Sequence, residues 1–264
     1  DRSLAFGDQV LEVAGLFRAR LTALVAHWMR VGYCQGNFNS DNCAAGGYTL
    51  DYGPFGFCER FDPGFQPWTG GGEHFSFFNQ PVAAGANYQM FWSALRPLLS
   101  DNTEVLARLD QIREGFAGAM QQELEAMWAR KLGLAAPDDA LVNELLDLML
   151  RSEADYTHCF RRLSEIPPTI PEHLSALKES FYAPTSEGLD NAWSGWLERW
   201  RGAITANGDL QETSAAMQRV NPAITWREWL VAPAYEQAAL GDTSRIHALQ
   251  EVFSRPYDAP STEL

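Results

Sequence analysis

A chain of 264 residues is long enough to bury one large core or two modest ones. Its 46% hydrophobic content, with nine Trp and fifteen Phe, excludes a disordered chain. A formal charge of −14, from 20 basic and 34 acidic residues, argues against nonspecific binding to nucleic-acid polymers or anionic membranes.

Residues 8–31 read as an amphipathic helix. Val10, Ala14, Phe17, Leu21, Leu24, Val25 and Trp28 recur at spacings of three and four, and Asp8 is a plausible cap. The helix leads into Gly32 to Pro63, GYCQGNFNSDNCAAGGYTLDYGPFGFCERFDP. Here Cys43–Ala45 and Tyr48–Leu50 suit two short strands, with Gly46-Gly47 as the two-residue turn between them. Gly53 to Phe65 is rich in Gly, Pro and aromatics and is neither helix nor regular strand. Trp68 to Gly72 reads as a flexible loop that lacks the strand and helix context of a phosphate loop. Glu73-His74 beside it reads as a surface pair.

From Tyr88 the chain is almost entirely helical. The expected helices are Tyr88–Leu99, Asn102–Leu132, Pro137–Ser152, Asp155–Leu163, Leu189–Asn207, Leu210–Val220, Thr225–Ala238 and Thr243–Phe253. Pro167, Pro168 and Pro171 mark a connection between subdomains. Trp193, Trp196 and Trp200 form an aromatic stripe. It reads as core, since stacking grooves for nucleic acid are basic and this chain is acidic.

Cys34, Cys43, Cys58 and Cys159 include no CxxC and no zinc spacing. They read as buried or incidental thiols in a reducing compartment. No apolar run approaches the roughly 20 residues of a membrane span, and no charged-then-apolar leader begins at Asp1. The expectation is a soluble intracellular protein, cytoplasmic in a bacterium, mitochondrial or plastid in a eukaryote.

The chemistry concentrates at Asp41, Asn42 and Asp51. A hairpin over 43–50 returns Asp51 beside the Asp41-Asn42 pair. Two carboxylates and an amide oxygen then make a hard oxygen site, suited to Mg²⁺ carrying a nucleotide phosphate. Asp51-Tyr52-Gly53 resembles the DFG triplet of protein kinases, and Asn42 the catalytic-loop Asn. The catalytic Asp of the kinase loop lies five residues before that Asn, and here the position is Asn37.

The longer string is more specific. NSDN followed by LDYGPFGFCERFDP is similar to the NTDN…DYGPFGF signature of the selenoprotein O (SelO) family. The similarity continues through Phe77 to Pro81, Asp155 to Leu163, Asn221-Pro222 and Arg255 to Asp258.

This resemblance implies a mainly α protein containing the C-lobe of a kinase-like fold (residues 1–165, metal loop 32–63) and a helical C-terminal region (166–264). It implies a pseudokinase that transfers AMP from Mg-ATP to hydroxyl side chains of proteins. Asp41 is then the base, and Asn42 and Asp51 hold the metal and through it ATP. Gln35 stands where many members have His. The loop position sixteen after Asp51 is Pro67, and no Cys or selenocysteine stands near the C-terminus, so disulfide control is not expected. Relatives are nearly twice as long, so the chain corresponds to their C-terminal half, without the nucleotide-clamping lobe, and is expected to be inactive alone. Two other readings are a phosphate-transferring kinase and a non-catalytic helical binding module or degenerate pseudokinase.

Overall fold

The computed structural model describes residues 5–167, 174–206 and 208–259. The expected proline connection at Pro168 and Pro171, the helix end at Asn207 and the tail from Pro260 lie outside them. The described residues are mainly helical, with one small two-stranded antiparallel sheet. Contacts gather the chain into two compact units. One comprises Asp1–Met29, Tyr33–Gly56 and Pro63–Glu125; the other comprises Arg30–Gly32, Phe57–Asp62 and Ala126–Leu264.

Helix α1 runs Phe6–Val31. Its apolar stripe is buried as the spacing predicts, apart from half-buried Leu24, but Asp8 is not its cap. Asp8 lies within the first turn and pairs with Arg108 at 3.0 Å. Strands β1 (Tyr33–Gln35) and β2 (Phe55–Phe57) form the sheet. Helices α2 (Gln80–Leu95), α3 (Thr103–Glu114) and α4 (Phe116–Leu132) follow. The single helix expected over 102–132 is therefore two. Arg18 Nη1 takes the Ile112 carbonyl at 3.0 Å, and a Cβ on Gly115 would lie 2.6 Å from that same nitrogen. A long-range contact, invisible to helical periodicity, occupies the break. In this unit Tyr88 stacks on Phe116 with centroids 5.0 Å apart, and its hydroxyl donates to the Ala14 carbonyl at 2.8 Å.

The second unit contains α5 (Asp139–Arg151), α6 (Tyr156–Glu165), α7 (Leu174–Lys178), α8 (Glu187–Thr205), α9 (Leu210–Val220), α10 (Glu228–Ala239) and α11 (Ser244–Phe253). Polar residues just ahead of the apolar runs cap α5, α6 and α8. Asp138 accepts from Leu141 N at 2.9 Å, Asp155 from His158 N at 2.8 Å, and Ser186 from Leu189 N at 3.3 Å. Each bond satisfies an amide that the helix start would otherwise leave unpaired. The helix expected from Thr225 begins only at Glu228, because Arg227 is extended (φ −132°).

Trp193, Trp196 and Trp200 are fully buried. Their indole nitrogens donate to Ser152 Oγ at 2.7 Å, the Leu141 carbonyl at 2.9 Å and the Leu132 carbonyl at 2.8 Å. The stripe is core, and each polar tip is satisfied.

A second buried cluster gathers three of the sequence segments singled out above. Lys131 Nζ donates to the Arg30 carbonyl at 2.7 Å and to Asn221 Oδ1 at 3.0 Å, over the Phe160 ring at 3.8 Å. Asn221 Nδ2 returns to the Lys131 carbonyl at 2.9 Å and to Ser164 Oγ at 2.9 Å. Arg161 donates to the Tyr257 carbonyl at 3.1 Å, and Arg30 to the Tyr257 hydroxyl at 2.8 Å. Asp155–Leu163, Asn221-Pro222 and Arg255–Asp258 thus meet in one polar hub.

Burial, with the Arg30 guanidinium adding to it, holds the Lys131 ammonium well below the ordinary lysine range. The folded chain therefore binds fewer protons here than the unfolded chain. The penalty is full below the folded value and fades as pH rises toward the unfolded value of about 10.4. Buried thiols and phenols titrate in the opposite sense at alkaline pH, so the lysine's share is read as a difference. The stability of wild type minus that of Lys131→Met is expected to rise with pH across this window. Urea unfolding of both proteins over a pH series checks it, and a flat or falling difference contradicts it.

Candidate active site

The stretch after α1 folds back twice within the first unit. Glycine 36 N donates to the Pro54 carbonyl at 2.7 Å, continuing the pairing of β1 with β2. Between these strands the expected hairpin shrinks to one antiparallel bridge, Cys43 to Thr49. Its turn is closed by Gly47 N on the Ala44 carbonyl at 3.0 Å, one residue earlier than a Gly46-Gly47 centre requires. Two features fix this form. Gly47 has φ +74°, and a Cβ there would sit 2.4 Å from Arg20 Cβ, so only glycine fits the turn against α1. Trp28 Nε1 then donates to Thr49 Oγ1 at 2.9 Å and ties the bridge to the same helix. Ala45, Gly46 and Leu50 are exposed, so little apolar burial supports a longer ladder.

Ser40–Asn42 form a single 3-10 turn entering the bridge. The bridge brings Thr49 back beside Cys43, with Asn42 one residue before the bridge and Asp51 two residues after it. Asp41 is exposed, while Asn42 and Asp51 are half-buried. Asn42 Nδ2 is spent on the Asn37 carbonyl at 3.0 Å, which leaves its Oδ1 uncommitted. Asp51 Oδ1 accepts from Gly53 N at 3.0 Å, an Asx turn. Its Oδ2 lies 2.8 Å from where a Cβ on Gly53 would stand. The missing side chain thus keeps open the space beside that oxygen. An amide oxygen and a carboxylate oxygen with such room are a donor set a hard cation accepts, with other ligands drawn from phosphate and water. Among the described residues no group of three or more His, Cys, Asp or Glu is placed to hold a metal.

Two side chains outside the expected set support the site. The Tyr33 hydroxyl donates to Gln35 Oε1. Burial pushes the Tyr33 phenol above its ordinary range, with nearby Tyr52, Cys34 and Asp51 adding to the shift, so it remains a neutral donor. Gln80 is fully buried. Its Oε1 accepts from Gln35 N at 2.9 Å, and its Nε2 donates to the carbonyls of Tyr33 at 2.9 Å and Phe77 at 3.1 Å. One side chain therefore clamps β1 along its length. Its place in the Phe77–Pro81 similarity was the only signal for it in the sequence. Gln80→Ala leaves a buried N–H and two carbonyls without these partners, each worth about 1–3 kcal/mol. A loss of about 2–4 kcal/mol in urea unfolding is expected; a loss below about 0.5 kcal/mol contradicts the clamp.

Cys34, Cys58 and Cys159 are buried and Cys43 half-buried, all as free thiols. Burial pushes Cys43 and Cys58 up to about 12, so neither is a thiolate near neutral pH. Glu73 and His74 are both exposed, as expected of a surface pair. No helix among the described residues is long and apolar enough to cross a membrane.

This Asp-Asn turn, one-bridge return and Asp-Tyr-Gly Asx turn stand in a chain whose relatives carry the name protein nucleotidyltransferase. Residues 13–254 match the family model described as protein adenylyltransferase SelO, and the chain belongs to that family. It is 37% identical over 265 residues to the protein nucleotidyltransferase YdiU of Xanthomonas campestris pv. campestris (strain B100), covering 98% of this chain and 49% of the relative. The YdiU of Azoarcus sp. (strain BH72) is 37% identical over 248 residues, 91% of this chain and 47% of the relative. That of Salmonella schwarzengrund (strain CVM19633) is 34% identical over 249 residues, 90% and 48%. The chain spans about half the length of the curated relatives it matches.

Proposed function

We propose that the complete protein carrying this chain transfers AMP from ATP to hydroxyl side chains of other proteins. The supporting observation is the pair of uncommitted oxygens, Asn42 Oδ1 and Asp51 Oδ2, on either side of the Cys43–Thr49 bridge. They occur in a chain whose family is one of adenylyltransferases, which use ATP. On this reading residues 1–165 are a kinase-like C-lobe and 166–264 its helical extension.

The acceptor oxygen attacks the α-phosphorus of ATP, the bond from that phosphorus to the pyrophosphate oxygen breaks, and pyrophosphate leaves. Asp41, exposed and free of any hydrogen bond or ion pair among the described residues, takes the proton of the incoming Ser, Thr or Tyr hydroxyl. Asn42 and Asp51 would hold Mg²⁺, which when bound offsets the negative charge of the phosphates. The Gly53 amide fixes the Asp51 carboxylate, and the Gln80 clamp holds β1, the strand that enters the loop. Positioning of this kind is a large part of phosphoryl-group catalysis.

ATP labelled at the α-phosphorus or at the γ-phosphorus separates the readings. Label reaching protein from the α position alone supports adenylyl transfer. Label arriving only from the γ position overturns it in favour of a kinase. Because the chain spans about half of its relatives, it is expected to transfer little or nothing on its own in the same assay.

A further inference from the structure

We propose that a pocket beside the Ser40–Asn42 turn receives an apolar side chain of the acceptor polypeptide, close in sequence to the hydroxyl that is modified. This rests on the function proposed above and names a feature of its substrate.

The cavity has a volume of about 310 Å³ and lies between α1, the 40–45 segment and α2. That is the small end of the roughly 300–1,000 Å³ usual for ligand pockets, which suits one side chain and not a nucleotide. Its lining carries no charged residue, so nothing there would retain phosphates.

The floor is aromatic and fixed. Phe17 is buried and meets Phe91 edge-on with ring centroids 4.6 Å apart. The rim is Met90, 61% exposed, an unbranched and polarizable side chain that adapts to different apolar shapes. Buried Asn87 is oriented by its Nδ2 bond to the Phe38 carbonyl at 2.8 Å and supplies a polar edge. An aromatic floor, a thioether rim and one oriented amide match an apolar side chain attached to a polar backbone.

Its place ties it to the acceptor. Ser40 and Cys43, both in the lining, bracket Asp41 and Asn42 in the chain. Successive Cα atoms are about 3.8 Å apart, so the wall at Ser40 is one residue from the candidate base. An extended peptide advances about 3.3 Å per residue. A side chain within about three residues of the hydroxyl therefore spans from Asp41 to this cavity.

The test uses the complete protein, α-labelled ATP and serine peptides with Leu, Phe or Ala stepped through the three positions on each side of the serine. At one position Leu is expected to exceed Ala by about tenfold or more in kcat/KM. That ratio should fall toward one in Met90→Glu. Met90→Ala, which widens the rim, should shift the preference from Leu to Phe. Because Met90 is exposed, both variants are expected to fold. Transfer that ignores the neighbouring residue, or a ratio unchanged in both variants, overturns the subsite while leaving the adenylyltransferase reading intact. Absence of any α-label transfer overturns that reading, and the subsite with it.

Discussion

Asp51→Ala in the complete protein is expected to lower AMP transfer by a factor on the order of 10³ or more, with little change in unfolding midpoint. The two halves of this expectation have separate causes. Asp51 is half-buried, and its carboxylate accepts from the Gly53 amide two residues on, so its removal costs the fold little. Its remaining oxygen lies in the space the Gly53 backbone leaves open, and on the proposed reading that oxygen holds the metal that anchors ATP. Gly53→Ala should approach the same phenotype, because its Cβ would meet Oδ2 at 2.8 Å. Steady-state transfer of α-label, with circular dichroism melts on the same samples, checks both. Activity within about threefold of wild type in Asp51→Ala would remove Asp51 from the machinery.

Trp196→Ala carries the largest expected effect on stability. Its side chain is fully buried between Trp193 and Trp200, with ring centroids at 6.0 and 5.7 Å. Truncation removes the apolar burial, leaves a cavity, and deprives the Leu141 carbonyl of its indole donor. Losses of about 3–5 kcal/mol are typical for such a change, a large share of the 5–15 kcal/mol that holds a typical domain folded. Urea unfolding followed by tryptophan fluorescence gives the number. A loss below about 1 kcal/mol would mean that the stripe collapses around the gap, contrary to a rigid core.

The helices were legible where local signals agreed. Asp138 and Asp155 lie at starts read from the sequence, and their side chains bond backbone amides three residues on; the start capped by Ser186 lies two residues ahead of the expected Leu189. The Trp193, Trp196 and Trp200 stripe announced its burial by spacing alone. What was not legible depended on partners distant in sequence. The break at Gly115 is tied to Arg18, some hundred residues earlier, and the turn at Gly47 is set by Arg20 and Trp28 on α1. Gly53 to Phe65, which reads as no regular strand, holds β2, because three-residue strands are too short to show alternation. The sheet forms outside the predicted hairpin, from Tyr33–Gln35 and Phe55–Phe57.

The same division applies to the site. Asp41, Asn42 and Asp51 stood out by residue type and by their similarity to the SelO signature. The bridge that returns the chain between them was anticipated, although as a two-residue hairpin. Gln80 shows in the sequence only as part of the similar string Phe77 to Pro81. Its work, holding the edge of β1 that β2 leaves unpaired, requires knowing that residues 35 and 80 meet.

On the proposed reading Asn42 and Asp51 together hold a metal–nucleotide complex. Mn²⁺ standing in for Mg²⁺ reports it directly, through the electron paramagnetic resonance signal of free metal titrated with the complete protein and ATP. Wild type is expected to capture about one Mn²⁺ with the nucleotide, while Asn42→Ala and Asp51→Ala, each shown to be folded, capture it at least tenfold more weakly. Equal capture by all three proteins would contradict the account and place the metal elsewhere.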